Sequence, residues 1–262
     1  MGSAAIQGEL WGQAASDWTY IQEPTSGPLF EAMLDATNVA KDTRFFDVGC
    51  GGGGASILAA QRGAHVSGLD AAKELIAIAR KRIRSGHFLV GDLEQLPFGD
   101  NTFDVVFAAN CIQYPENRQA ALLELKRICA VNGQITISLF ASPEKVKFRV
   151  MQEAIRNALP NPPSDWGPYE LSAPGKLEAL LAEAGLQIVQ SGEVDCPKTF
   201  PDFATYWRGQ ISAGPTRRAM RAIGEDKLKT VLQEAIQAFR TDDGSFYIGP
   251  NFFRYVVATA TL

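Results

Sequence analysis

The stretch Phe46-Asp47-Val48-Gly49-Cys50-Gly51-Gly52-Gly53-Gly54 leads from a short apolar run into four consecutive glycines. The apolar run predicts a buried strand, and the residues after the glycines predict a helix that ends at Gly63. Glycines at a strand-to-helix turn adopt positive φ and let a ligand approach the backbone, while the helix N-terminus offers free N–H groups to an anionic group. The stretch therefore predicts a strand–turn–helix unit that binds a small anionic molecule.

Strands and helices alternate regularly on both sides of this unit. Apolar runs bounded by turn residues predict strands at 44–48, 65–70, 87–91, 103–109, 134–140, 186–190 and 252–260. The stretches between the first five have helical periodicity, and such alternation is typical of an α/β fold with a parallel sheet and right-handed crossovers. Helical segments also lie outside the alternation, in the first 40 residues, after the fifth strand and before the last strand.

Composition excludes several classes of protein. With 262 residues, 46 % of them hydrophobic, the chain can bury a large core and is not disordered. A net charge of −4 provides no broad basic surface for nucleic acid, and no run of about 18 apolar residues predicts a membrane span. Four dispersed cysteines and two histidines predict neither a metal site nor a disulfide framework. The first residues lack the features of a signal peptide, so a cytoplasmic location is expected.

The glycine loop admits a dinucleotide interpretation. Gly49, Gly51 and Gly54 satisfy G-x-G-x-x-G, and Asp70 lies 21 residues after Gly49. However, Asp47 precedes the first glycine by two residues, where its carboxylate would repel a pyrophosphate but could hold an ammonium group. Asp47 thus disfavours the dinucleotide interpretation, and an NAD(P)-dependent oxidoreductase is kept as an alternative hypothesis.

Three acids lie at the ends of three successive predicted strands. Asp47, Asp70 and Asp92 are separated by 23 and 22 residues, which places them at the carboxyl edge of a parallel sheet, where ligands of open α/β folds bind. Asp70 suits two ribose hydroxyls, Asp92 with the Leu93 N–H suits an adenine, and Asp47 with the loop suits an amino-acid group. A ligand that combines these groups is S-adenosylmethionine (SAM).

The same residues resemble the motifs of class I SAM-dependent methyltransferases. The segments 47–53, 68–70, 91–98 and 103–107 look like motif I, the acidic motif II, the adenine-binding turn and the fourth strand of that family. The similarity is greatest to the small-molecule branch that includes ubiquinone and menaquinone biosynthesis methyltransferases. The resemblance implies a Rossmann-like, seven-stranded, mostly parallel sheet whose last strand is antiparallel, with helices on both faces and a helical lid.

The resemblance also implies that Asn110 and Cys111, after the fourth strand, flank the methyl-bearing end of the cofactor. The residues expected to bind SAM are Asp47, Gly49, Cys50, Gly51, Gly53, Asp70, Ala71, Asp92, Leu93, Asn110 and Cys111. Residues near the N-terminus, after the fourth strand and in the proline-rich loop are candidates for the acceptor pocket, namely Trp18, Tyr20, Gln113, Tyr114 and Trp166. No catalytic residue is predicted, because alignment with an activated donor can suffice.

This interpretation divides the chain into an N-terminal helical arm, 1–40, and a methyltransferase domain, 41–262, with lid insertions at about 142–175 and about 200–245. The predicted activity is methyl transfer from SAM to a small-molecule acceptor, with the accepting O, N or C atom left open. A non-catalytic SAM-binding protein is a further alternative. The oligomeric state is not predicted.

Overall fold

A computed structural model describes residues 3–162 and 167–260 of the chain. Within these ranges the strands are β1 (Arg44–Val48), β2 (His65–Asp70), β3 (His87–Val90), β4 (Phe103–Ala109), β5 (Cys129–Phe140), β6 (Leu186–Asp195), β7 (Lys198–Phe200), β8 (Phe246–Ile248) and β9 (Phe252–Ala260). The α-helices are α1 (Ala4–Gly12), α2 (Ala15–Asp17), α3 (Gly27–Ala36), α4 (Gly54–Gln61), α5 (Lys73–Arg82), α6 (Arg118–Ile128), α7 (Arg149–Ala158), α8 (Lys176–Glu183), α9 (Phe203–Ser212), α10 (Gly214–Ile223) and α11 (Glu225–Ile236).

Seven of these strands form one sheet in the order β3-β2-β1-β4-β5-β9-β6. The pairs from β3 to β5 are parallel, whereas β9 runs antiparallel to both β5 and β6. This topology confirms the predicted mostly parallel sheet with an antiparallel last strand. It also places the carboxyl ends of β1, β2 and β3 side by side at one edge.

The central strands are buried because helices cover both faces of the sheet. On one face, Phe46 stacks on Phe103 with ring centroids 4.8 Å apart, and Leu125 of α6 belongs to the same buried cluster. On the other face, the ring centroids of Phe45 and Phe107 are 5.4 Å apart, and α3, α4 and α5 supply the covering side chains. The near-continuous apolar runs of β1 and β4 are what strands covered on both faces require.

Two strands extend well beyond their predicted bounds. The predicted sixth strand, 186–190, continues to Asp195, because β9 pairs with β6 from Leu186 opposite Ala260 to Asp195 opposite Phe252. The predicted fifth strand, 134–140, begins earlier, at Cys129. In both cases pairing with a neighbouring strand extends the element beyond its apolar run, since sheet formation depends on tertiary partners.

The segment between β6 and β9 carries a second, smaller core. Strands β7 and β8 pair as a two-stranded ribbon that the sequence did not predict. Helices α9 to α11 follow β7, and they pack with α7 around buried residues of all four helices, which include Met151, Tyr206, Ala219 and Leu228. The arm touches this core through Ile21. Among the described residues, no helix has the length and apolar character of a membrane span.

Candidate functional site

The glycine loop between β1 and α4 has the backbone conformation that its composition predicts. Gly49, Gly51 and Gly53 have φ values of 68°, 55° and 88°, in the left-handed region that favours glycine. The N–H groups of Gly49 and Cys50 donate to the carbonyl of Leu69 at 2.7 and 3.0 Å. These bonds fix the loop against the end of β2, next to Asp70.

Asp70 ends β2 and accepts hydrogen bonds from the backbone of two loops. Its Oδ2 accepts from the Gly51 N–H at 2.9 Å, and its Oδ1 accepts from the Ala72 N–H at 2.8 Å. Burial raises the pKa of Asp70, and the backbone donors oppose that rise. Each carboxylate oxygen keeps a lone pair, so the arrangement is compatible with the predicted bonds to ribose hydroxyls.

Asp47, in β1, lies under the loop and is almost fully buried. Its Oδ2 accepts from the Ser56 hydroxyl at 2.6 Å. Burial raises the pKa of Asp47 to about 7, and the charges of Glu23 and Asp70 add to the rise. A cationic group bound above the loop would favour the ionised carboxylate.

Asp92 and Leu93 form a turn after β3. Asp92 Oδ1 accepts from the Glu94 N–H at 3.0 Å, and Asp92 bridges to Gln95 across the turn. The Gly91 N–H donates to the carbonyl of Asp70 at 3.0 Å, so this turn lies beside the end of β2. Both residues are half-buried.

The end of β4 closes the other side of the loop. A Cβ built on Gly49 would lie 2.6 Å from the Cβ of Cys111, whose Sγ donates to the Val48 carbonyl at 3.2 Å. Asn110 adopts φ 53° and its N–H donates to Ser138 of β5 at 3.1 Å. Burial raises the pKa of Cys111, so its thiol stays protonated and forms a wall of the site.

Gln113 and Tyr114 follow this wall and contact the arm. Gln113 Nε2 donates to the Asn110 carbonyl at 2.9 Å, while its Oε1 is buried with no hydrogen-bond partner among the described residues. The Ser3 hydroxyl donates to the Tyr114 carbonyl at 2.8 Å, and the Tyr114 ring lies edge-on to Trp11 at 5.7 Å. Burial raises the pKa of Tyr114 to about 12.

The predicted aromatic residues do not all meet. The ring centroid of Trp18 lies 4.6 Å from that of Trp11, whose ring also contacts Tyr114. Tyr20 was expected in the same pocket, but its side chain is 64 % exposed and its ring faces Arg82 at 5.9 Å. Residues two apart in a helical turn point to nearly opposite sides, which separates Tyr20 from Trp18. The predicted Trp166 lies outside the described residues.

Sequence reasoning missed the residues of the arm that contact the glycine loop. Glu23 is buried; its Oε1 accepts from the Gly52 N–H at 2.8 Å and its Oε2 accepts from Arg82 at 2.8 Å. Arg82 also donates to the Gly52 carbonyl at 2.7 Å. A Cβ at Gly52 would lie 2.2 Å from the hydroxyl oxygen of Thr19. Nothing in the local sequence around Glu23 distinguishes it from a surface acid.

The charges around the loop favour a cationic ligand. Asp47 is raised in pKa by burial and by the charges of Glu23 and Asp70, and Arg82 forms an ion pair with Glu23. Carboxylates thus outnumber cations here, and a ligand with ammonium and sulfonium groups would relieve the excess. The backbone N–H groups from Gly49 to Gly53 already donate to acceptors within the protein. The groups that fit SAM are therefore the carboxylate at the end of β2 and the buried Gln113 oxygen, which has no partner among the described residues.

Residues 46–137, which run from β1 into β5, match a family model described as a methyltransferase domain. A malonyl-[acyl-carrier protein] O-methyltransferase of Serratia marcescens is 36 % identical over 112 residues, which are 43 % of this chain and 44 % of that protein. The chain therefore matches less than half the length of this relative. The residues matched by the family model, 46–137, carry the glycine loop and the three acids.

Two solved structures illustrate the fold. The [4+2]-cyclase SpnF has a TM-score of 0.58 at 16 % identity and aligns over 90 % of this chain and 81 % of its own. A phosphoethanolamine N-methyltransferase of Haemonchus contortus, solved with phosphomonomethylethanolamine and S-adenosylhomocysteine, has a TM-score of 0.55 at 15 % identity over 89 % of this chain and 52 % of its own. These likenesses show the fold, and a cyclase among them shows that one fold carries different reactions.

Proposed function

We propose that this chain, which has the domain and the fold of class I SAM-dependent methyltransferases, transfers a methyl group from SAM to a small-molecule acceptor. The observation that carries the proposal is the glycine loop held by Asp70 and surrounded by buried carboxylates. A phosphate-rich ligand would be repelled at this position, whereas SAM offers a positive charge at its amino-acid end.

Each residue of the site has a proposed role in holding the donor. Asp70 accepts from the ribose hydroxyls, Asp92 and the Leu93 N–H contact the adenine, and Asp47 with the loop holds the amino-acid end. Asn110 and Cys111 flank the methyl-bearing end. When bound, SAM supplies an activated methyl group for an in-line displacement.

The remaining contribution of the chain is alignment and the exclusion of water. The arm covers the loop through Thr19 and Glu23. After the end of β4, Gln113 has a side-chain oxygen with no hydrogen-bond partner in the described part of the chain. His65 and His87 begin β2 and β3, at the opposite edge of the sheet from the acids. We therefore assign neither histidine as a base.

The test is transfer of a labelled methyl group from SAM to a microbial metabolite extract, after calorimetry has established that SAM binds. We expect label in the small-molecule fraction, and we expect S-adenosylhomocysteine to suppress it by competition. The Asp70→Ala variant, which removes the proposed ribose contact, serves as the negative control and should transfer less label.

Each alternative has its own outcome. Failure of SAM to bind would contradict the proposal. Tighter binding of NADH than of SAM would also contradict it and would favour the NAD(P)-dependent oxidoreductase. Binding of SAM without transfer to any fraction would favour a SAM-binding protein that does not catalyse.

A further inference from the structure

Lys198, the first residue of β7, has a buried ammonium group with neutral partners. Its side chain is 8 % exposed, and its Nζ donates to Thr25 Oγ1 at 2.8 Å and to Gln22 Oε1 at 3.3 Å. The same Nζ lies 5.4 Å from the centre of the Phe148 ring. We call Lys198, Gln22, Thr25 and Phe148 the Lys198 cluster.

No carboxylate of the described residues lies within ion-pair distance of Lys198. Two acids near it in sequence or space are engaged elsewhere. Asp195 accepts from the Asn251 N–H at 2.6 Å, and Glu23 is bound to Gly52 and Arg82. Because a buried ammonium is costly without a counter-charge, this position calls for a reason beyond packing.

The pKa of Lys198 agrees with this lack of a nearby carboxylate. Burial lowers the pKa of Lys198 to about 8, and the Cys196 thiol beside it on the chain opposes the shift. Gln22, Thr25 and Phe148, which face it from the arm and from the segment after β5, do not ionise. At neutral pH most of the population is therefore still cationic.

The Lys198 cluster lies where the three segments outside the alternating core meet. Gln22 and Thr25 come from the arm, Phe148 from the segment after β5, and Lys198 opens the segment before β9. Gln22 precedes Glu23, whose carboxylate contacts the glycine loop. One turn of the arm thus contacts the proposed SAM site through Glu23 and the Lys198 cluster through Gln22.

Helix α9 adds an independent sign of an absent polar partner. Tyr206 Oη and Gln210 Nε2, one helical turn apart, are buried and have no hydrogen-bond partner among the described residues. The helix packs on Gln22, since a Cβ at Gly209 would lie 3.4 Å from Gln22 Nε2. Buried polar groups are nearly always satisfied, so each of these two atoms lacks a polar partner, and both lie on the helix that contacts Gln22 of the Lys198 cluster.

We propose that Lys198 binds an anionic oxygen group, a carboxylate or a phosphate, of the methyl acceptor. The inference rests on the proposed methyl transfer and specifies the chemical class of its acceptor. Binding would supply the counter-charge that the Lys198 cluster lacks, and it would hold the acceptor beside the arm that covers the glycine loop. Lys198 acts here as a binding residue and takes no part in the displacement.

The first experiment identifies the class of acceptor. Transfer of labelled methyl from SAM is measured with a metabolite extract that is untreated, depleted on an anion exchanger, or treated with phosphatase. We expect depletion to remove transfer. If methyl transfer is lost after phosphatase treatment, the anionic group of the acceptor is a phosphate monoester. If transfer survives the treatment, the group is a carboxylate or a phosphodiester. Transfer that persists in the depleted extract would overturn the inference and leave the proposed function intact.

The second experiment tests Lys198 itself, with the anion-exchange fraction as acceptor. Lys198→Met should raise the half-saturating concentration of that fraction about 10- to 100-fold, the loss of one charge-assisted hydrogen bond, with little change in maximal rate. Lys198→Arg should restore much of the affinity. Lys145→Met is the matched control, because Lys145 is exposed and paired with Glu193.

Two further readouts separate these outcomes. SAM affinity and the urea midpoint are measured for every variant, so that a folding defect or a failure of the proposed function is recognised before transfer is compared. In the wild type, the half-saturating acceptor concentration should rise as the pH passes about 8 and Lys198 loses its proton. An unchanged acceptor affinity in Lys198→Met, or a maximal rate that rises through the same pH range, would overturn the binding role.

Discussion

The glycine loop and the Lys198 cluster both leave buried charge without a full complement of partners, but with opposite sign. Around the loop, Asp47, Asp70 and Glu23 exceed the single guanidinium of Arg82 that is bound there. In the Lys198 cluster, the ammonium has neutral oxygens only. The excess of carboxylates matches a cationic donor at the loop, and the unpaired ammonium is the basis of the proposed anionic acceptor.

The two regions also differ in how the chain builds them. The loop is contiguous in sequence, and strand pairing fixes it in register with the end of β2. The Lys198 cluster draws on three distant segments and depends on the arm being in place. Variants that release the arm should therefore affect both regions, while variants in one region should leave the other intact.

The largest effect on stability is expected from Glu23→Ala, which removes the hydrogen bond between the arm and the glycine loop. It leaves the Arg82 guanidinium and the Gly52 N–H without their partner. Loss of one member of a buried ion pair costs about 3 kcal/mol of unfolding free energy, measured by urea denaturation. The control is Glu9→Ala, whose exposed pair with Arg221 contributes about 0.5 kcal/mol or less. Equal effects of the two variants would contradict the proposed link.

Next in size is the effect of Asp70→Ala on the donor site. The substitution removes the acceptor of the Gly51 N–H and the proposed ribose contact, so SAM affinity should fall about 100-fold by calorimetry. Asp35→Ala, which changes an exposed acid of α3, is the matched control and should bind SAM normally. Unchanged affinity in Asp70→Ala would refute the ribose assignment.

A smaller effect is expected from pH, through Asp47. Its pKa is raised from 3.8 to about 7, so the folded protein holds a proton that the unfolded chain loses between these values. Stability contributed by the protonated form is therefore lost as the pH rises through about 7. Bound SAM favours the ionised form, so its affinity should be about tenfold lower at about pH 6 than at about pH 8. Asp47→Asn should flatten this dependence; a flat wild-type profile would refute the coupling.

The smallest predicted effects concern methyl transfer by variants of the two aromatic residues of the arm, Trp18 and Tyr20. Trp18→Ala removes a ring packed on Trp11 beside Tyr114, and methyl transfer should fall about tenfold. Tyr20→Ala removes an exposed ring and should change transfer less than about twofold. The reverse order would show that Tyr20, and not Trp18, lines the acceptor pocket.

The sheet and the loop could be predicted from sequence because each is encoded locally. The apolar run of β1, the glycines after it and the acid that ends β2 identify themselves by spacing. The sequence could not show that Tyr20 is exposed and faces away from Trp18, because composition does not tell which side of a helical turn an aromatic ring takes; its place in the acceptor pocket stays a prediction.

Glu23, Arg82 and Lys198 escaped prediction for a different reason. Each is an ordinary charged residue whose burial arises only when distant segments pack together. The β7–β8 ribbon was missed on similar grounds, since each of its strands is three residues long and is stabilised by pairing and by packing in the second core. Such features depend on tertiary contacts that no local pattern records.

The central claim is that the carboxylate-lined glycine loop binds SAM. Calorimetric titration of the protein with SAM, and separately with NADH, at about pH 8 tests it most directly, because the carboxylates are then ionised. The account predicts binding of SAM with a dissociation constant in the micromolar range and no comparable binding of NADH. Absence of SAM binding at high micromolar concentrations, or tighter binding of NADH, would contradict it.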